Sequence, residues 1–164
     1  MQEKMAKILQ KAAESKKETK KFLDQIRRKP PRNLDVTVQK IHDEVFTKTD
    51  CLECANCCRT TSPIFTPKDI ERISKYLRIK PQQFETLYLR VDNDDDYVLK
   101  KSPCAFLEED NTCLIYSVRP KACREYPHTD RKKFHQITKL TLNNILICPA
   151  TYQILKKLKK NYNK

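Results

Sequence analysis

A chain of 164 residues with 34% charged and 38% hydrophobic residues, and no Trp, has room for one domain and some extra helix around a modest core. It contains no Gly, which excludes phosphate-binding loops of the Walker or Rossmann kind and with them ATP, GTP and dinucleotide readings. The net charge of +13 lies in the flanks, since residues 1–50 and 151–164 each carry +5 and residues 51–150 only +3, so the middle is no basic groove.

The opening Met1-Gln2-Glu3-Lys4 lacks the apolar stretch of a secretory signal. No window approaches the run of about 18 apolar residues that a membrane span needs. The expectation is a cytoplasmic protein with reduced thiols and no membrane association. Residues 2–29 read as one helix, with apolar residues at Met5, Ile8, Leu9, Ala12 and Ala13 and again at Phe22, Leu23 and Ile26. The polar run from Glu14 to Lys21 separates two contact patches, and Lys29-Pro30-Pro31 ends the helix. A second helix, about 34–48, places Leu34, Val38, Ile41, Val45 and Phe46 on one face.

A cysteine-bearing domain follows. Thr66-Pro67-Lys68-Asp69 is a helix start, with Thr as N-cap, Pro at the first helical position and an acid in the first turn. This helix carries Ile70, Ile73, Tyr76 and Leu77 and fades near Arg78, and Pro81 opens another with Phe84, Leu87, Tyr88 and Leu89. Asp92–Asp96 is a polar turn without the Gly and distal Glu of a calcium loop. Tyr97-Val98-Leu99 and Cys113–Tyr116 resemble two short strands, and Ala150–Lys160 reads as a closing helix with a lysine-rich face. The fold class expected is mainly α with short irregular β segments. A small metal-stabilised cysteine-cluster domain at 50–150 follows a helical extension at 1–49 and precedes a lysine-rich helix or tail at 151–164. Without Gly, left-handed positions fall to Asn, Asp or Lys.

The chemistry lies in eight cysteines: Cys51-x2-Cys54-x2-Cys57-Cys58, then Cys104, Cys113, Cys123 and Cys148. Cysteines three apart can place both sulfurs on one metal, and the repeat through Cys57 is a spacing that iron–sulfur loops use. Neighbouring side chains such as Cys57 and Cys58 diverge in most backbone conformations, so they serve different sites on the simplest reading. Eight ligands divide into two four-cysteine sites. The competing partition is one iron–sulfur cluster with the other cysteines structural or redox-active, and the bland reading of any single one is a buried inert thiol. A disulfide scaffold would require an oxidising compartment. Cys113 and Cys148 are the weakest members of the set.

Four separated pieces carry a resemblance: Cys51–Cys58, Pro103-Cys104-Ala105-Phe106-Leu107, the run Cys113–Pro127, and Cys148-Pro149. In order and spacing they resemble the YkgJ family of cysteine-cluster proteins, over about residues 50–150. The resemblance implies a small zinc- or iron-chelating CxxCxxCC domain. One branch of the family, the flagellin lysine methylases, joins such a domain to methyl transfer through an iron–sulfur cluster. This chain is short for that enzyme's additional part, so its activity is not carried over.

Arg119 and Arg124 flank Cys123 and could offset the net −2 charge of four thiolates around a dication, or form ion pairs with Glu108, Glu109 or Glu125. Tyr116 and Tyr126 read as packing residues, and Pro120 and Pro127 as fixing the chain around Cys123. His42, His128 and His135 read as solvent-facing or packing residues, with His128 the one to test as a ligand.

The leading expectation is a metal-binding module for zinc, iron or a [4Fe-4S] cluster, with a protein partner and all eight cysteines as ligands. An iron–sulfur redox or methyl-transfer-associated component is the first alternative. A nucleic-acid-binding accessory role through Lys156, Lys157, Lys159 and Lys160 is the second. No catalytic Ser/His/Asp set, paired carboxylates or HExxH motif is present.

Overall fold

Apolar spacing, Pro positions and caps lay down short helices along most of the chain. The structure is a computed structural model and describes residues 2–162. In chain order it runs α1 Gln2–Glu14, α2 Lys16–Arg28, α3 Leu34–Phe46, α4 Cys51–Cys54, α5 Asn56–Thr60, α6 Pro67–Leu77 and α7 Pro81–Tyr88. Strands β1 Leu89–Val91 and β2 Tyr97–Leu99 follow, then a 3-10 turn at Tyr116–Val118 and α8 Lys121–Glu125. A 3-10 turn at Phe134–Ile137, α9 Thr138–Asn144 and α10 Pro149–Tyr162 close the chain. The architecture is mainly helical with one small two-stranded sheet, as the sequence implies. The chain divides into two units, the first made of Met1–Cys54 with Pro127–Lys164 and the second of Ala55–Tyr126.

In the first unit, the expected single N-terminal helix is two, separated at Ser15. The hydrogen-bond ladder passes through the joint, but the Ser15 hydroxyl donates back to the Lys11 carbonyl at 2.7 Å, a competition that distorts helices. Phe22, Leu23 and Ile26 of α2 are buried, as are Leu34, Val38, Ile41 and Val45 of α3. They pack with Phe134, Ile137, Ile145 and with Ile154, Leu155 and Leu158 of α10 in one apolar cluster. Asp35 ties the halves of this unit together by accepting the backbone N–H groups of Lys133 (2.7 Å) and Phe134 (3.0 Å).

In the second unit, Thr66 caps α6 as the sequence implies, and Asp69, the expected acid of the first turn, completes a full capping box with it. Leu89 opens β1 rather than ending α7; β1 pairs antiparallel with β2, Leu89 opposite Leu99. Asp92 shapes the connection, its Oδ1 accepting the N–H of Asp94 (2.9 Å) and Asp96 (3.0 Å), so the acidic stretch is a hairpin turn. Cys113–Tyr116 forms no strand; Cys113 meets Leu107 in an isolated bridge and the chain then tightens into the 3-10 turn. The core is aromatic: Phe84 stacks on Phe106 at 6.1 Å and Tyr88 lies 4.9 Å from Phe106. Left-handed backbone falls on Asp95, Asn111 and Lys133 as composition requires, and also on Ala55, Arg78 and His128. Among the described residues no helix is long and apolar enough to cross a membrane.

Candidate metal centre

In the second unit four thiols, from four separate segments, lie near enough to feel one another's charge. Cys58 ends the motif on α5, and its carbonyl accepts the Cys104 N–H at 2.8 Å. The Cys104 carbonyl accepts the Leu107 N–H at 3.1 Å, and Leu107 faces Cys113 across the bridge. Cys104 and Cys113 both pack against the aromatic core. Cys123 lies in α8, its N–H donating to the Pro120 carbonyl at 3.0 Å. Cys58, Cys104, Cys113 and Cys123 are thiols, not disulfides.

The four feel one another's charge. Burial pushes Cys123 up to about 12, and Cys58, Cys104 and Cys113 each push further in the same direction, while Arg119 opposes them. Burial also raises Cys104, against the Phe106 and Leu107 N–H groups that point at its sulfur, with Cys58 and Cys113 adding to the rise. Cys113 is raised by burial, opposed by the Ile115 N–H and by Arg119. Cys58 goes the other way, to about 7, because the Cys57 thiol donates to it; burial opposes this and Arg59 assists. The expected divergence of Cys57 and Cys58 is therefore incomplete, since their thiols are hydrogen-bonded.

This pattern suits a soft cation. One sulfur ionises readily, and three others are held neutral mainly by burial, with backbone N–H groups already aimed at two of them. Four sulfurs are the donor set of tetrahedral zinc or thiolate-bound iron. Among the described residues, no three His, Cys, Asp or Glu side chains stand in ready-made ligand geometry. The fit is therefore one of donor chemistry and proximity.

The other candidates are placed as follows. Cys51 and Cys54 are the first and last residues of the single turn α4, and Cys148 packs half-buried against the core of the first unit. Arg119 lies over the Tyr116 ring at 3.9 Å and donates to the Tyr116 carbonyl at 2.7 Å, so Tyr116, 57% exposed, carries the arginine rather than filling the core. Arg124 donates to the Arg119 carbonyl at 3.1 Å. All three histidines belong to the first unit, where His42 Nδ1 lies 2.8 Å from the Thr129 hydroxyl. Lys157 and Lys159 of the lysine-rich face are paired with Glu44 and Glu18.

Sequence reasoning took Asp69 only as a helix cap and passed over Arg72. In the structure the two are ion-paired at 2.5 Å, and both bond the backbone of Val118–Lys121, just before Cys123. An Asp-x-x-Arg spacing on one helix face was the available signal, and it is a common one.

Residues 50–141 match the family model CxxCxxCC, described as "Putative zinc- or iron-chelating domain". The uncharacterized protein MJ0661 of Methanocaldococcus jannaschii is 33% identical over 91 residues, covering 54% of this chain and 49% of that protein. The chain thus spans about half the length of the curated relative it matches. No solved structure matches the chain significantly.

Proposed function

The chain belongs to the CxxCxxCC family, and from that premise we propose that its second unit is a zinc-binding module closed by the thiolates of Cys58, Cys104, Cys113 and Cys123. The observation that carries this reading is the convergence of those segments in a unit of small core. The Cys104 N–H lies on the Cys58 carbonyl, Cys104 and Cys113 lie against the same apolar cluster, and Cys123 is near enough to feel the other three. A closed four-thiolate set is the form structural zinc takes, and the bound ion contributes folding free energy directly. Its role is to hold the unit and the surface it offers to a protein partner, in the reducing cytoplasm. Arg119 offsets the net −2 charge of the loaded centre, and Arg124 supports Arg119 through its carbonyl. Cys51, Cys54, Cys57 and Cys148 enter as further thiolate donors by their sequence pattern alone. Two lysines of the C-terminal face are ion-paired, which weighs against a phosphate-binding role for it.

The test is metal analysis with visible absorption on protein purified without oxygen. The reading expects a colourless protein with at least one zinc per chain, lost in Cys123→Ser. A brown protein bleached by dithionite replaces structural zinc by an iron–sulfur centre. A preparation free of both metals removes the reading.

A further inference from the structure

Asp69 is 1% exposed, and both its oxygens are engaged. Oδ2 accepts the Thr66 N–H (3.0 Å) and hydroxyl (2.7 Å), which completes the helix cap. Oδ1 accepts the Lys121 backbone N–H at 3.1 Å and Arg72 Nη2 at 2.5 Å. Arg72 then donates from Nε to the Val118 carbonyl (3.2 Å) and from Nη2 to the Arg119 carbonyl (3.0 Å). Two side chains of α6 thus hold three main-chain groups of the segment that joins Cys113 to Cys123. Within residues 118–121 the Arg119 N–H reaches the Tyr116 carbonyl only at 3.5 Å and Pro120 has no N–H to give. The Val118 N–H meets the Ile115 carbonyl at 3.0 Å, and Arg124 shares the Arg119 carbonyl at 3.1 Å.

A helix cap needs only Thr66 and Asp69. Arg72 is one-third exposed and is not part of the cap, so the cap alone does not account for its place beside Asp69. What a guanidinium adds is direction, because its planar fork fixes the carbonyls it bonds, which a flexible ammonium does not. The helix α8 starts at Lys121 of the held segment, and Cys123 is its third residue, with its N–H on the Pro120 carbonyl.

We propose that Asp69 and Arg72 are positioning residues for Cys123, setting its sulfur against those of Cys58, Cys104 and Cys113 so that the four close on one ion. This rests on the four-thiolate reading above. The test titrates the reduced, metal-stripped full chain with Co2+, following its thiolate charge-transfer and ligand-field absorption, with affinity taken from chelator competition. Arg72→Lys keeps the charge and loses the fork; Asp69→Asn keeps the shape and loses the charge. Ile73→Val, at a fully buried position of the same helix, loosens the core without removing a hydrogen bond to residues 118–121.

The expected result is that Ile73→Val lowers the thermal midpoint but keeps the wild-type Co2+ spectrum and affinity. Arg72→Lys and Asp69→Asn weaken Co2+ binding by about ten- to a hundred-fold and alter the ligand-field bands, with unchanged far-ultraviolet circular dichroism of the loaded protein. Should Asp69→Asn not fold, Arg72→Lys decides alone. Wild-type affinity and bands in Arg72→Lys, or an equal loss in Ile73→Val, overturn the positioning role. A wild-type chain that takes up no Co2+ fails one step earlier and removes the four-thiolate reading together with the positioning role.

Discussion

Among the described residues, fifteen buried apolar side chains gather in the core of the first unit, drawn from α1, α2, α3, α10 and the chain around α9. The second unit, Ala55–Tyr126, gathers eight, and Cys104 and Cys113 lie against them. Hydrophobic burial is roughly proportional to apolar area, so the first unit has the means to hold itself. A single core in a segment of about 70–80 residues rarely supplies more than about 3–5 kcal/mol, and small domains commonly add disulfides or a metal. The second unit's five cysteines offer the soft donors that such a metal takes. The contrast teaches that five of the eight cysteines, Cys57, Cys58, Cys104, Cys113 and Cys123, stand where burial falls short.

Stripping the metal breaks that comparison most directly. Structural zinc is worth on the order of 10 kcal/mol, so chelation should abolish slow amide exchange across Ala55–Tyr126 and leave α2, α3 and α10 protected. Hydrogen exchange read by mass spectrometry separates the two; equal loss in both units sinks the contrast.

Core truncations come next. Ile154→Ala in α10 should cost about 2–5 kcal/mol by denaturant unfolding with metal content unchanged. Phe84→Ala in α7 should cost about 3–5 kcal/mol and also weaken metal binding, because Cys104 and Cys113 pack against that core.

Acid sharpens the contrast further. Burial alone would raise the Asp69 carboxyl, but the Thr66 hydroxyl, Arg72 and the Thr66 and Lys121 N–H groups outweigh it and hold it below its ordinary 3.8. Its contribution is fully present above that value and is lost as pH falls through the lowered one. The second unit of Asp69→Asn should therefore lose less stability than wild type as pH falls below about 4, followed by the near-ultraviolet signal of its tyrosines. The smallest effect is expected from Glu44→Gln, which removes the exposed partner of Lys157 and should leave the thermal midpoint unmoved.

What could be read from the sequence was local. The apolar spacing of α3, the Thr66-Pro67 and Pro81 helix starts and the strand Tyr97–Leu99 each follow from a few neighbouring residues. Leu89 was read as helix because nothing nearby announces its partner Leu99, ten residues on. Cys113–Tyr116 looked like a strand because its residues favour one, yet its pairing is a single bridge to Leu107. The cysteine motif was plain, but which thiols gather was not, since Cys58 and Cys123 meet only through the folding of the segments between them. The reach of Asp69 and Arg72 to residues 118–121 was hidden for the same reason.

The claim that the second unit closes on an ion through four thiolates is tested most directly by X-ray absorption at the metal edge of protein purified without oxygen. The account predicts a zinc edge with four sulfur neighbours at about 2.3 Å. A first shell dominated by nitrogen or oxygen at about 2.0 Å would contradict it.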